Sequence, residues 1–128
     1  MLIDTDVAIH LRDGNPIIAA RMEETGAPMI SAITLGELEA GAARDVSGNK
    51  LRRRLLDAML GLVPVLPFTA AESAAYGHIV GVLGYDRRKV LDRMIAAQAI
   101  VAGLPLATIN GRDFRDIPNL DLLVWTLP

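Results

Sequence analysis

The chain has 128 residues, a net charge of −2, an apolar fraction of 52 % and an aromatic fraction of 4 %. That length suits one domain, 1–128, with a core of Ala, Leu, Ile and Val rather than rings. The lack of cysteine excludes disulfides, thiolate zinc sites and a Cys nucleophile. With His10 and His78 the only histidines, a metal here is expected to be held by oxygen, which favours Mg²⁺ or Mn²⁺.

Taken in order, the chain opens on Leu2-Ile3, with the composition of a short buried strand, and runs straight into Asp4, Thr5 and Asp6. Thr5 or Asp6 can cap a helix carrying Val7, Ala8, Ile9 and Leu11. Asp13-Gly14-Asn15-Pro16 is a turn, and Pro16 suits the first turn of a helix to about Glu24, stopped at Gly26. Pro28–Ser31 reads as a second strand. Thr34 and Glu37 have the spacing of a capping box, opening a helix with Leu35, Leu38 and Ala42 that frays near Asp45. Ser47–Leu62 reads as a further helix, with Leu51, Leu55, Met59 and Leu62 on one face. The two helices together form a hairpin projecting from the sheet.

Val63–Phe68 is a third strand, its prolines predicting an edge position. Thr69 can cap a helix from Ala70 to about Leu83, with Glu72 three residues on, and Gly84–Asp86 is a break. Lys89–Ala102 shows the clearest helical period, Asp92, Ile95, Ala96 and Ala99 sharing one stripe that Gly103 ends. Pro105–Ile109 is a fourth strand, Asn110–Phe114 a loop or short turn, and Leu122–Trp125 a last strand. The alternation predicts an α/β fold: a mostly parallel sheet of about five strands, covered by helices on both faces. Met94–Leu106 is the longest apolar stretch, but Gln98, Gly103 and Pro105 interrupt it and it is too short to span a bilayer. Without a basic n-region or signal-type apolar run at the start, a cytoplasmic location with no membrane contact is expected.

Chemistry concentrates at one edge. Asp4 and Asp6 follow the first strand, Glu37 lies in the first turn after the second, and Asp113 lies just past the fourth. All belong to the carboxyl edge of a parallel sheet, where ligands bind. Asp92 sits on a small-residue helical stripe that packs close to the sheet, with no Lys or Arg placed to pair with it. A bound cation resolves the repulsion among such groups. Each residue also has a purely structural reading: Asp4 or Asp6 as a helix cap, Glu37 as the capping partner of Thr34, Asp113 as the cap of a short turn, and Asp92 as a complement to a helix dipole. The two basic clusters, Lys50 with Arg52–Arg54 and Arg87–Lys89 with Arg93, read by themselves as solvated helix faces.

Four blocks then carry a resemblance. Leu2-Ile3-Asp4-Thr5-Asp6-Val7, Ile30-Ser31-Ala32-Ile33-Thr34-Leu35-Gly36-Glu37-Leu38-Glu39-Ala40-Gly41, Asp92-Arg93-Met94-Ile95-Ala96-Ala97 and Thr108-Ile109-Asn110-Gly111-Arg112-Asp113-Phe114 occur in that order along nearly the whole chain. Together they resemble the PIN-domain ribonucleases, specifically the VapC-type toxins of type II toxin–antitoxin pairs. The resemblance implies a single PIN-like domain and a Mg²⁺-dependent (or Mn²⁺-dependent) endoribonuclease. Its catalytic and metal-binding quartet is Asp4, Glu37, Asp92 and Asp113. Asp6 stands where Asn is commoner, as a fifth carboxylate neighbouring the metal; Thr108 and Asn110 are implied as polar support orienting Asp113.

The implied reaction is hydrolysis of an RNA phosphodiester by a metal-activated water, leaving a 5′-phosphate and a 3′-hydroxyl, with Glu37 or Asp92 accepting the water's proton. Since an acidic pocket repels RNA, Arg87, Arg88 and Arg93 are candidates for contacts to its backbone. A homodimer and an inhibiting antitoxin are also implied, with DNA met only through the antitoxin. Two other readings compete. A haloacid-dehalogenase-type phosphatase opens on a strand and Asp-x-Asp, with Asp4 as nucleophile and Asp6 as general acid, but Ala8 stands where Thr or Val is usual and no acidic pair follows the fourth strand. A non-catalytic PIN-like binding module is the other.

Overall fold

The computed structural model describes residues 1–128. Its elements run β1 (Leu2–Ile3), α1 (Thr5–Arg12), α2 (Pro16–Thr25), β2 (Met29–Ser31), α3 (Ala32–Ala43), α4 (Leu51–Leu60), β3 (Val65–Leu66), α5 (Ala70–Leu83), α6 (Val90–Ala102), β4 (Leu106–Thr108) and β5 (Leu122–Val124). Single 3₁₀ turns at Arg87–Lys89 and Gly111–Asp113 precede α6 and follow β4.

The five strands form one sheet in the order β3-β2-β1-β4-β5, every pair parallel. Strand alternation sorts the core into two layers. Leu2 and Leu106, in register across β1 and β4, point to one face, against Ile79, Ile95, Ala96, Ala99 and Phe114. Ile3 and Ala107 point to the other, against Val7, Ile18, Leu38, Leu56 and Met59. Leu2, Ile3, Leu106 and Ala107 are fully buried, as central strands covered on both faces must be. β3 is an edge strand, as its prolines predict; Pro64 and Pro67, which lack N–H donors, leave it two residues long.

Several limits differ from expectation. α3 begins at Ala32, not after Thr34, because Ser31 ends β2 and caps the helix itself, its Oγ accepting from Ile33 N at 2.9 Å. α4 begins at Leu51 rather than Ser47 because Lys50 adopts a left-handed conformation (φ 52°). Asp45 and Asn49 side chains hold the connection as turns, accepting from Ser47 N (3.0 Å) and Leu51 N (3.1 Å). The α3–α4 hairpin is anchored through Leu38, Leu56 and Met59 in the core, and its tip around Val46 stands in solvent. The crossover from β4 to β5 contains no α-helix, only the 3₁₀ turn and a loop.

The strand order fixes where a site can form. From β1 the chain winds outward to β2 and β3 on one side, then returns to lay β4 and β5 on the other. The direction reverses between β1 and β4, and the crevice beyond their carboxyl ends is the place where such sheets bind ligands. Asp4 and Thr108 stand at its two lips.

Candidate active site

Asp4 is the residue that ends β1 and caps α1. Its Oδ1 accepts from Val7 N at 2.9 Å. Its Oδ2 accepts from Thr108 Oγ1, across the crevice on β4, at 2.6 Å. Asp4 is 3 % exposed, so neither oxygen is stabilised by bulk water. Burial pushes its carboxyl up to about 6. The bonds from Thr108 and Val7 pull the other way, and Asp6 and Asp113 add repulsion.

Asp92, half-buried in the first turn of α6, is also pushed up to about 6. Desolvation is the largest cause, followed by repulsion from Asp113, Asp4, Glu37 and Asp6. The fold therefore brings the whole implied quartet and Asp6 within electrostatic reach of one another, from four separate places in the chain. None of the five carboxylates takes part in an ion pair. No three of them are drawn to ligand distance around one point; repulsion between uncompensated carboxylates works against that closure.

Glu37 lies in α3, one turn above its start. It is not the capping partner of Thr34, since Ser31 holds the cap. Glu37 Oε1 instead accepts from Thr5 Oγ1 at 2.7 Å, and the Thr5 and buried Thr34 hydroxyls meet at 3.1 Å. Thr5 and Thr34 are thus positioning residues rather than helix caps. The signal available was their place, one residue after Asp4 and three before Glu37.

Asp113 sits in the 3₁₀ turn after β4, its N donating to Asn110 O at 3.0 Å. Thr108 and Asn110 do support the site, but through other carboxylates than expected. Thr108 holds Asp4, and its Oγ1 accepts from Asn110 N at 2.9 Å. The Asn110 side-chain amide donates to Asp6, which is exposed at the rim. Among the expected backbone contacts, Arg87 and Arg88 are exposed, with Arg88 paired to Asp86. Arg93 is not available: it is 4 % exposed and donates to Gly84 O at 2.6 Å. Its position on the inner side of α6, beside Ile95 and Ala96, turns it away from solvent.

An all-oxygen donor set with no cation of its own, in which burial and repulsion raise the Asp4 and Asp92 carboxyls, suits a hard divalent cation such as Mg²⁺. Asp4, Glu37, Asp92 and Asp113 are the residues that fit as its holders, with Asp6 at the edge.

This architecture has relatives. The PIN domain family model matches residues 1–120. Ribonuclease VapC1 of Rickettsia felis is 34 % identical over 128 aligned residues, 96 % of this chain and 94 % of that protein. Two solved structures superpose closely. VapBC2 from Rickettsia felis, bound to a DNA fragment from its promoter, gives a TM-score of 0.84 at 25 % identity over 97 % of both chains. DNA-bound VapBC from Salmonella typhimurium gives 0.83 at 28 % identity, over 97 % of this chain and 96 % of that one. The chain belongs to the PIN-domain family, in its VapC group. Membership sets the phosphatase reading of Asp4 and Asp6 aside. No helix of the chain is long and apolar enough to cross a membrane.

Proposed function

We propose that this protein is a Mg²⁺-dependent endoribonuclease, the toxin of a toxin–antitoxin pair, inhibited by a cognate antitoxin protein. One observation carries the reading. Carboxylates from four separate segments come within electrostatic reach of one another at the switch point of a parallel sheet, with no ion-paired cation among them. The names of the relatives support the choice of substrate and partner: Ribonuclease VapC1 for RNA, and the VapBC complexes for an antitoxin that brings the pair to DNA. A homodimer follows from the family resemblance alone.

The residues divide the work. Mg²⁺, or Mn²⁺, supplies a Lewis acid that activates a water and neutralises phosphate charge. Asp4 would hold the ion with fixed geometry, because both of its oxygens are already oriented, one by the helix and one by Thr108. Asp92 and Asp113 complete the acidic lining from α6 and the 3₁₀ turn. Glu37 keeps Oε1 against Thr5, which leaves Oε2 free. Glu37, through the free Oε2, or Asp92 would take the proton of the activated water. The products are a 5′-phosphate and a 3′-hydroxyl.

The test uses the purified chain, free of partner, with structured RNAs and either Mg²⁺ or EDTA. Cleavage that requires Mg²⁺ and disappears in Asp4→Asn and Asp92→Asn is expected. Cleavage that persists in EDTA, or in both variants, overturns the metal mechanism. A folded chain that cleaves no RNA but binds a partner or DNA would instead mark it as a binding module.

A further inference from the structure

The carboxylates repel the polyanion they are proposed to cut, so the strand must be held from the flanks. Two grooves open directly off the acidic centre, and both are lined with arginine. One, of about 460 Å³, lies between α1, α3 and α4, shares Thr5 and Glu37 with the site, and carries Arg12, Arg44 and Arg52. The other, of about 550 Å³, lies beyond β4 and β5, shares Asn110 and Asp113 with the site, and carries Arg112 and Arg115. The sheet order places them on opposite sides: Glu37 follows β2, Asp4 follows β1 in the middle, and Asp113 follows β4.

Several arginines outside these grooves are already engaged. Arg53 is committed to Glu39 and Asp57, Arg88 to Asp86, and Arg93 is buried against Gly84 O. By contrast, Arg44, Arg52, Arg112 and Arg115 form no ion pair, Arg52 reaching only Gly41 O at 3.5 Å; Arg54 and Arg87 are also free of ion pairs but line neither groove. Arg12 pairs only with its neighbour Asp13 (2.9 Å), and its side chain is 8 % exposed, which makes it part of the groove wall. Arg115 lies over Gly111: a Cβ on that glycine would stand 2.9 Å from Arg115 Nη2 and 2.8 Å from Val124 Cγ2. The missing side chain therefore leaves room for the guanidinium to lie in the groove. Unpaired guanidinium groups in concave surfaces are suited to phosphate, which they bind through several N–H donors at once.

We infer that RNA crosses this protein along a track of two grooves, its phosphates held by Arg44 and Arg52 beyond Glu37 and by Arg112 and Arg115 beyond Asp113, with the scissile bond between them. The inference rests on the proposed ribonuclease reading and names the backbone contacts for it. Arg87 and Arg88 line neither groove and lie outside the track.

The experiment measures binding separately from cleavage. A fluorescein-labelled single-stranded RNA of about twenty nucleotides is titrated with the full chain in EDTA over a series of salt concentrations. Three double variants are compared: Arg44→Ala with Arg52→Ala, Arg112→Ala with Arg115→Ala, and Arg87→Ala with Arg88→Ala as the control. Each lost phosphate contact reduces the slope of log K against log salt by about 0.7 for a single strand, so each groove pair should lower it by about 1.4. Affinity at low salt should fall about tenfold in each groove pair and stay within about twofold in the control. Thermal unfolding of each variant checks that the fold is kept, and lysine replacements at the groove positions should restore most of the slope.

Unchanged slopes in both groove pairs, or a loss confined to the Arg87/Arg88 pair, overturn the track. A loss in one groove only overturns its two-sided form. Groove variants that bind RNA normally but no longer retain a co-expressed protein partner assign the grooves to that partner, and the track again fails. Cleavage of RNA by the unaltered chain with Mg²⁺ is scored separately, so failure of the nuclease reading is distinct from failure of the track.

Discussion

Two groups of carboxylates in this molecule end in opposite electrostatic states. On the α3–α4 hairpin, Glu39 and Asp57 close on Arg53, the Asp57 bond at 2.6 Å, and the hydrogen bond from Arg53 holds the Glu39 carboxyl below its usual range. At the sheet edge, Asp4 and Asp92 have no cation, and burial holds both above it. The hairpin group is satisfied by the chain itself and exposed, so it adds little beyond local order. The edge group is unpaired with any cation, and Asp4 and Asp92 are desolvated, a cost that a folded chain tolerates where something else is meant to bind. Charge pairing, not the number of acidic residues, separates a structural cluster from a functional one.

The largest expected effect tests that contrast directly. Asp4→Asn and Asp92→Asn should each lower single-turnover RNA cleavage by about a hundredfold or more, because each removes the charge of a proposed metal ligand. Asp4→Asn should keep its fold, since an amide oxygen can still accept from Val7 N. Loss of folding in circular dichroism would show that the charge at this position is structural after all.

Next comes pH. The folded-state pKa of Asp4 is raised, so its contribution to stability is full below about 3.8 and is lost as pH rises through about 6. The full shift corresponds to about 3 kcal/mol. The metal-free protein should therefore lose Tm from about pH 4 to about pH 6.5 relative to Asp4→Asn, which lacks the titrating group, and change little above that. Mg²⁺ should raise the wild-type Tm clearly at pH 7.5 and much less at pH 5. Equal Mg²⁺ shifts at both pH values, or in both proteins, would break the link between ion binding and these carboxylates.

Thr108→Val has the next effect. It removes the only side-chain donor to Asp4 and should cost about 1–3 kcal/mol in urea unfolding, with cleavage down about tenfold. Thr5→Val frees Glu37 Oε1 and should slow cleavage by a factor of about three to ten, with stability changed by no more than about 1 kcal/mol. Smallest of all, Arg53→Ala opens the hairpin cluster and should leave cleavage unchanged, as a rate measurement beside the Asp4 variant would show.

Much of this was legible in the order of residues. β1, the Pro16 helix, the Thr69–Glu72 cap, the end of α6 at Gly103 and the edge position of β3 each rest on a local rule, and each is found. Where the structure departs from local rules, two of them compete for the same residues. Thr34-x-x-Glu37 has capping-box spacing, but Ser31 lies three residues earlier at the end of β2 and takes the cap, which frees Thr34 to be buried. Arg93 belongs to a basic run, yet helical phase turns it inward while Arg87 and Arg88 stay outside.

The sequence by itself determined the fold class, the acidic positions and their family, because strand alternation, helix period and four short motifs are written in neighbouring residues. Only the tertiary structure decided what each carboxylate touches. The partners of Asp4 and Asp6 are Thr108 and Asn110, at the far end of the chain, and that of Glu37 is Thr5. Whether a charge is paired, buried or left waiting depends on contacts between segments that no local pattern encodes. The same holds for the arginines: sequence runs group them by neighbourhood, and the fold regroups them by groove.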